Sequence, residues 1–412
     1  MTPSMTVAAG RVSLSPETQV LLLTAAVSPS DAGLRHALSV GINWEELCAL
    51  ARHEHATSVL VRQLGRVGAD AETSGYQELR RLATISLMEM LQLEQLLHQT
   101  IDFLAQHEIE VVLLKGAGLA YTAYSSFADR PMGDIDVLVR PEHAERAWSL
   151  VRERGWTPPP MVGDSAYTRH HHLPPLFRDA GRFRLEIHSE LLPGEHPFRF
   201  STDAFWLRAH RVTVTNRVIT VPNPMHQLWH ACVHFAWSHG MQWGSWRALR
   251  DSAAIIHHGG FEWTEFVRFA RETRAATCCF WTLLLTRRLT GAPVPDDVLA
   301  SLRPPYPKFI IDRLERHFVS SLFPSENRCP SVWLTRRLWE AGVSPRWSGH
   351  GVTRPWKVSE RWMAASGPPK SEQPGGRAVT GWFRGIRAIV TYLSRLSRFS
   401  FPIIAVNVWT AG

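Results

Sequence analysis

The chain has 412 residues, a length that at about 150 residues per domain predicts two or three domains. Its composition, 45% hydrophobic and 20% charged, excludes a collagen, a coiled coil and a wholly disordered chain. Lysine and arginine number 45 against 37 acidic residues, so the formal net charge of +8 favours anionic partners such as phosphates, nucleic acid or acidic lipid.

Cysteine usage and the N-terminal residues indicate a reducing compartment. The five cysteines are odd in number and include no CxxC pair, so we expect neither a disulfide framework nor a cysteine metal cluster. The first residues lack the apolar core of a signal peptide, and no apolar run reaches the ~18 residues of a membrane span. The sequence therefore predicts a cytoplasmic protein.

Residues 1–105 are predicted to form an N-terminal helical region. Pro16 and Glu17 begin an apolar run, and Asn43 can cap the segment WEELCALARHEHATSVLVRQL as a helix. Between residues 79 and 106 apolar side chains recur at intervals of three and four, which is the pattern of a long amphipathic helix.

A small α/β core is predicted over residues 106–222. Its β segments are strands at 109–114, 135–139 and 182–188 and a hairpin at 212–221. Helices are predicted from Lys115 to Tyr124 and from Glu142 to Gly155, whose glycine suits a helix C-cap. The order of elements predicts an α+β fold, in which a small mixed sheet is flanked by N- and C-terminal helical regions.

The rest of the chain is predicted to be mostly helical. Residues 223–300 form a helical region that closes the cleft, and residues 301–412 form a C-terminal extension. The extension contains a linker near 366–376, rich in proline and glycine, and a basic amphipathic helix at 378–398. Such a helix can lie on the anionic inner membrane as a peripheral contact, or it can cover a core or a partner.

Two aspartates at the start of the second strand are the strongest chemical signal. Asp134 and Asp136 are two residues apart, so their side chains point to the same side of a strand. Glu186, in the alternating strand that follows, supplies a third acid. Carboxylate oxygens suit Mg²⁺ or Mn²⁺, and two such ions can activate an attacking hydroxyl and neutralise a leaving pyrophosphate.

Three nearby residues are candidates for binding phosphate. Lys115 and Gly116 lie between a predicted strand and a predicted helix, where backbone amides bind phosphate and a lysine adds a charge. Arg130, four residues before Asp134, can contact a further phosphate oxygen. Together with the acids, these residues predict a site for a nucleotide with divalent cations.

The segment LLKGAGLAYTAYSSFADRPMGDIDVLVR resembles the core of the uncharacterised nucleotidyltransferase family of bacterial DNA polymerase β-like proteins. That family is distantly similar to nucleotidyltransferase toxins of the AbiEii type, and its members often accompany peptide or polysaccharide biosynthesis genes. The resemblance extends more weakly over residues 18–290, including LEIHSELL and WRALRDSAAII. It implies a polymerase β-like core that transfers a nucleoside monophosphate.

The family pattern has a glycine-serine turn, a helix, two acids on one strand and a third acid on the next. By this resemblance Gly116 forms the turn, Asp134 and Asp136 are paired metal ligands and Glu186 is the third acid. Two departures stand out: Ala117 replaces the serine whose hydroxyl usually contacts phosphate, and the third acid is glutamate where aspartate is commoner.

Two functions of different classes follow from these residues. The first is an enzyme that uses Mg²⁺ or Mn²⁺ to move an NMP from an NTP to a hydroxyl of an acceptor, with pyrophosphate release. The acceptor is a peptide or other natural product, a sugar, a protein or tRNA. The second is a non-catalytic binding or scaffold protein in a biosynthetic assembly, which the missing serine favours and the three acids oppose.

Two further residues are candidates for the acceptor side of the site. His188 lies two residues after Glu186, so it is expected on the same strand face, where it can orient an acceptor or a metal-bound water. Asp251 is similar to an aspartate in the helical half of the family. It either shapes the acceptor pocket or forms a helix ion pair with Arg247.

Two groups of histidines have weaker interpretations. His226, His230 and His234 are spaced four apart on one predicted helix face, which suits zinc ligands, although capping and core hydrogen bonds explain such histidines more often. The tract at 170–172 is expected to be a solvated loop.

Overall fold

The protein is described by a computed structural model over residues 14–159, 170–194, 196–214, 216–322, 332–343 and 378–399. The predicted linker near 366–376 lies outside these residues. Within them the predicted α+β class is confirmed, because a small mixed sheet has helices before and after it. The division of the chain at residues 105, 222 and 300 stays a prediction.

The N-terminal region is helical, as predicted. Its helices are α1 (Pro16–Ala25), α2 (Asp31–Ser39), α3 (Trp44–His53), α4 (Thr57–Arg66) and α5 (Ser74–Gln106). The Asn43 side chain caps α3 by accepting a hydrogen bond from the backbone N–H of Glu46. The helix predicted after Asn43 is divided into α3 and α4, because His55 between them has a φ of 55°. That left-handed conformation cannot continue a right-handed helix.

A four-stranded mixed sheet follows α5. Its strands and the two helices between them are β1 (Val112–Leu113), α6 (Lys115–Thr122), β2 (Asp134–Leu138), α7 (Ala144–Glu153), β3 (Leu176–Arg178) and β4 (Phe183–His188). The strand order is β1-β2-β4-β3, and β2 and β4 are parallel while both outer pairs are antiparallel. The first strand is shorter than predicted, with two residues in the ladder.

The predicted hairpin and the later helices are also present. They are α8 (Thr202–Leu207), β5 (His210–Val214), β6 (Arg217–Val221), α9 (Pro224–Val233), α10 (Ser245–His258), α11 (Trp263–Glu272), α12 (Ala276–Thr290), α13 (Asp296–Leu302), α14 (Lys308–Ser321), α15 (Val332–Val343) and α16 (Ala378–Arg398). Asn216, at the turn between β5 and β6, has the positive φ of 56° that a tight hairpin requires. A short π-helical segment, His234–Ser238, continues α9.

Two hydrophobic cores meet along the long helix α5. Tyr76 and Leu79, in its first half, pack into a helical core. That core also contains buried residues of α1, α3, α4, α9, α10 and α12. The second half of α5 packs against the sheet through Leu93 and Leu97. The helix therefore joins the sheet to the helical body of the protein.

Buried polar contacts connect the N-terminal helices to α10. The carboxylate of Glu54, after α3, accepts a hydrogen bond of 3.0 Å from the backbone N–H of Trp246. This contact satisfies a free amide at the start of α10, where Gly244 has no side chain to act as a cap. The Arg250 guanidinium donates to the backbone carbonyls of Thr24 and Ala26, each at 3.1 Å. Segments 192 to 226 positions apart in the sequence thus pack together in one core.

The basic helix α16 packs against other helices of the extension. Tyr392 and Leu396 form a small apolar cluster with Leu334 of α15, and Nδ1 of His317 lies 2.8 Å from the Tyr392 hydroxyl. One face of α16 therefore packs on other parts of the protein. Covering a core was one of the three roles considered for this helix, beside contact with a membrane or with a partner. Val390 on this helix is exposed, and contact with a membrane or partner stays a prediction.

Membrane-spanning helices are absent from the part of the chain that the structure describes. None of the helices there combines the length and the apolar character needed to cross a bilayer.

Replacing Glu54 tests the connection between the N-terminal helices and α10. Glu54→Ala leaves a buried backbone N–H without its acceptor, so we expect the free energy of unfolding to fall by about 1–3 kcal/mol. Glu54→Gln keeps an acceptor oxygen and should lose less. Urea denaturation followed by tryptophan fluorescence measures both, with Glu153→Ala on the exposed face of α7 as a control. Equal stability of Glu54→Ala and the control would contradict this role.

Candidate active site

A cavity of about 670 Å³ lies between the sheet and helices α6, α9 and α10. Most of the residues predicted from the sequence line it: Asp134, Asp136, Glu186, Lys115, Gly116, Arg130 and Asp251. His188 is fully buried, with an exposed fraction of 0%, next to two of the acids. The fold therefore brings the predicted residues to one place, although they come from distant parts of the sequence.

The three acids share the sheet face that borders the cavity. Asp136 of β2 lies directly opposite Glu186 of β4 in the parallel register, and both side chains are buried, with 2% and 8% exposure. Asp134, the first residue of β2, accepts a hydrogen bond from Arg184 of β4. Parallel pairing of the two strands is thus what places the third acid beside the first two.

His188 bonds to both buried acids. Its Nε2 lies 2.8 Å from a carboxylate oxygen of Asp136 and 3.5 Å from one of Glu186. Burial and Lys115 oppose protonation of the imidazole, but these bonds raise the pKa of His188 above its usual value. The pKa of Glu186 is lowered despite its burial, chiefly by the hydrogen bond from His188. The acids are therefore held ionised.

Lys115 contacts the same carboxylate. Its Nζ lies 2.6 Å from Oδ1 of Asp136, and its backbone has a φ of 45° at the start of α6. Although burial alone would favour the neutral amine, Asp136 raises the pKa of Lys115. The same ion pair lowers the pKa of Asp136 against the effect of burial. Lys115 thus lines the cavity beside the acids, and its role in binding phosphate stays a prediction.

The donor set fits a divalent cation. One ligating atom from each of Asp136, Glu186 and His188 lies within 4.8 Å of the others, and all three side chains are buried. Two ionised carboxylates suit Mg²⁺ or Mn²⁺, and the imidazole would add a nitrogen ligand once its Nε2 proton is lost. Asp134 is outside this closest group, and its carboxylate is bonded to Arg184.

Two glycines allow α6 to approach its neighbours closely. A Cβ atom at Gly118 would lie 2.6 Å from the carbonyl oxygen of Leu113, a distance that real Cβ atoms do not show. A Cβ atom at Gly116 would lie 3.1 Å from Nη1 of Arg130. Gly118 is therefore needed to pack the helix against β1, and Gly116 lets the arginine side chain lie close to the helix.

Arg130 and Asp251 form a buried ion pair. The Nε and Nη2 atoms of Arg130 donate to the two carboxylate oxygens of Asp251, each at 2.7 Å, and the Tyr124 hydroxyl donates to Oδ1 at 2.5 Å. Although burial disfavours the charge, Asp251 raises the pKa of the Arg130 guanidinium. The alternative ion pair between Asp251 and Arg247 is wrong, because the carboxylate is held by residues from outside its own helix.

Arg247 is a cavity residue that the sequence analysis considered only as a partner of Asp251. It lies in the first turn of α10 and lines the cavity. In the described ranges its guanidinium has no ion pair or hydrogen bond, whereas Lys115, Arg130 and Arg184 each have a carboxylate partner. Burial, together with the positive charge of Arg130, lowers the pKa of Arg247. Its charge is therefore available to an anion in the cavity.

The histidine tract at 170–172 is not the solvated loop that was expected. All three side chains line the cavity, and their ring centroids are 4.1 to 4.8 Å apart. The cause is backbone pairing: His172 forms a bridge with His188, and the Ser189 N–H donates to the carbonyl of His171. These contacts extend the sheet beyond β3 and hold the tract against the end of β4.

The histidines at 226, 230 and 234 do not converge on one point. His230 and His234 line the cavity, but His226 stacks on Phe205, with ring centroids 4.2 Å apart. Burial lowers the pKa of His226 to about 4 and that of His230 to about 3. His226 is therefore a neutral core side chain, and the three histidines form no common metal site.

Comparisons with known proteins identify a family. A family model described as an uncharacterised nucleotidyltransferase matches residues 41–291. A search of curated proteins finds no match. Among solved structures, the chain is similar to antibiotic-resistance factor ANT(2'')-Ia, with 13% sequence identity over 43% of this chain and 88% of that chain. The TM-score is 0.29, too low for an argument from that structure.

The buried ion pair can be tested by double substitution. Asp251→Ala leaves the Arg130 charge buried without its partner, so we expect the free energy of unfolding to fall by about 3–5 kcal/mol. Arg130→Met combined with Asp251→Ala removes both charges and should recover much of that loss. Urea denaturation of the single and double variants measures the difference. A double variant no more stable than Asp251→Ala would contradict the pairing.

Proposed function

The chain belongs to the uncharacterised nucleotidyltransferase family, and from this we propose that it transfers a nucleoside monophosphate from an NTP to a hydroxyl of an acceptor, with release of pyrophosphate. The observation that carries the proposal is the buried cluster of Asp136, Glu186 and His188 at the wall of a cavity large enough for a nucleotide. Buried carboxylates are costly to maintain, which supports a functional role for them.

We assign a Mg²⁺ or Mn²⁺ site to Asp134, Asp136 and Glu186, and add His188 as a further ligand. When bound there, the cation neutralises charge on the phosphates and makes an attacking hydroxyl more acidic. Lys115, already bonded to Asp136, holds a positive charge beside the acids and keeps them ionised before the substrate binds. Glu186 is the proposed acceptor of the hydroxyl proton.

Phosphate binding is assigned to Lys115, Gly116, Arg130 and Arg247. Gly116 lines the cavity at the start of α6 and has no side chain to cover the backbone there, where the free amides of a helix attract anions. Arg130 uses its Nε and Nη2 on Asp251 and its Nη1 on the carbonyl of Pro131, so it contributes mainly through its charge. Arg247, which has no acceptor in the described part of the chain, is the proposed main ligand of the triphosphate.

The acceptor would occupy the side of the cavity formed by the helices after residue 223. His188 is fully buried, so its proposed influence on the acceptor passes through Asp136 and Glu186. Asp251 would shape the acceptor side by fixing Arg130. A peptide or other natural product, a sugar, a protein and tRNA are the proposed classes of acceptor.

A non-catalytic binding or scaffold role is the second proposal. Ala117 is buried, with 1% exposure, at the position where the family pattern has a serine, and it supplies no hydroxyl to phosphate. Both proposals expect nucleotide binding, and only the enzyme would release pyrophosphate.

Loss of one central acid tests the enzyme. We expect Asp136→Asn and Glu186→Gln each to reduce NMP transfer by about 10²–10³-fold or more, because charge stabilisation in the transition state is lost. The assay incubates each α-³²P-labelled NTP with Mg²⁺ or Mn²⁺ and cell extract, and follows label and pyrophosphate. Asp203→Asn, an exposed aspartate of α8, is the control. Circular dichroism checks that the variants are folded. Transfer at the control rate in either variant would overturn the metal assignment.

Arg247 can be tested by nucleotide binding alone. We expect Arg247→Gln to raise the Kd for an NTP by about 10- to 100-fold, because a hydrogen bond between charged groups contributes about 1.5–3 kcal/mol. Arg247→Lys keeps the charge and should lose less. Isothermal titration calorimetry in the presence of Mg²⁺ measures the Kd, and Arg211→Gln on the exposed face of β5 is the control. An unchanged Kd in Arg247→Gln would show that the triphosphate lies elsewhere.

A further inference from the structure

The histidine tract at 170–172 is a cluster of nitrogen donors inside the cavity. Each of its three residues offers one ring nitrogen, and these atoms lie within 4.8 Å of one another. We propose that His170, His171 and His172 form a binding site for a transition-metal ion of the Zn²⁺ class, separate from the carboxylate site. The proposal rests on the geometry of these side chains and not on the proposed transfer reaction.

The backbone brings three consecutive side chains to the same place. Residues in a regular strand alternate between two faces, so three adjacent histidines would normally diverge. Here the chain bends at His170 and His171 before the bridge of His172 to β4. The rings of His170 and His172 then lie 4.1 Å apart, with His171 packed against both. The bend creates the cluster, and the bridge to β4 anchors it.

The donor set distinguishes this cluster from the carboxylate site. It consists of imidazole nitrogens, which suit Zn²⁺, Cu²⁺ and Ni²⁺, whereas the carboxylates of Asp136 and Glu186 suit Mg²⁺ and Mn²⁺. The two donor sets therefore differ in the kind of ion that they favour. The two sites are adjacent, because an oxygen of Glu186 lies 3.9 Å from Nε2 of His172.

One buried ring nitrogen of the cluster supports the proposal that an ion binds there. Nδ1 of His171 is buried and has no hydrogen-bond partner within the described ranges. Buried polar atoms are nearly always satisfied, and each exception needs an explanation such as an ion or water. The ring also faces the cavity and not a closed apolar core, so an ion from solvent can reach the cluster.

The test is Zn²⁺ binding by the full chain in a large excess of Mg²⁺, which competes for the proposed carboxylate site. Isothermal titration calorimetry should show one Zn²⁺ ion per chain. We expect the single variant His171→Ala and the double variant His170→Ala with His172→Ala each to weaken Zn²⁺ binding at least about a hundredfold. Loss of a residue that only hydrogen-bonds to a metal ligand costs about 10–100-fold, so loss of a ligand should cost more. Substituting Co²⁺ gives a visible absorption band that reports nitrogen coordination and should be lost in the same variants.

Two controls make the result specific. His257→Ala with His258→Ala removes two adjacent, exposed histidines at the end of α10 and should leave Zn²⁺ binding unchanged. Asp136→Asn alters the carboxylate site and should also leave it unchanged. Wild-type Zn²⁺ affinity in the folded His171→Ala variant would overturn the proposal, as would loss of binding in Asp136→Asn alone or no Zn²⁺ binding by the unmodified chain.

Discussion

The ion pair between Arg130 and Asp251 is the contact on which the geometry of the cavity depends. Arg130 lies just before the strand that carries the acids, and Asp251 lies one turn after Arg247 in α10. The planar guanidinium meets both carboxylate oxygens, so the pair fixes orientation as well as distance. Because both groups are buried, neither can separate without leaving a charge in a poorly solvated place. The sheet and the helical body are thereby held in one relative position.

Most of the charged side chains that line the cavity are paired with one another. Four acids line the cavity. Lys115 pairs with Asp136, Arg184 with Asp134 and Glu186, and Arg130 with Asp251. Arg247 remains as a positive charge without a direct ion pair in the described part of the chain. A site arranged in this way attracts a ligand that brings both cations for the acids and negative charge for the arginine. A nucleoside triphosphate with its divalent ions has that composition, which supports the proposed substrate.

Local features of the sequence were predictable because their causes are local. The cap at Asn43, the length of α5, the hairpin at Asn216 and the shared face of Asp134 and Asp136 depend on residues a few positions apart. The partner of Arg130 was not predictable, because Asp251 is 121 positions away and Arg247 offered a plausible neighbour on the same helix. The same limit applies to the tract at 170–172. Its burial results from pairing with β4, which no periodicity in the tract itself indicates.

The contact between Glu54 and the start of α10 has a consequence for synthesis on the ribosome. The two residues are 192 positions apart, so the N-terminal helices cannot complete their core until the chain has grown past Trp246. At about 5–20 residues per second, this interval lasts roughly 10 to 40 s. During that time the apolar faces of α1, α3 and α4 have no α10 or α12 to cover them. The nascent chain is therefore a natural client for chaperones that shield exposed hydrophobic surface until its second half emerges.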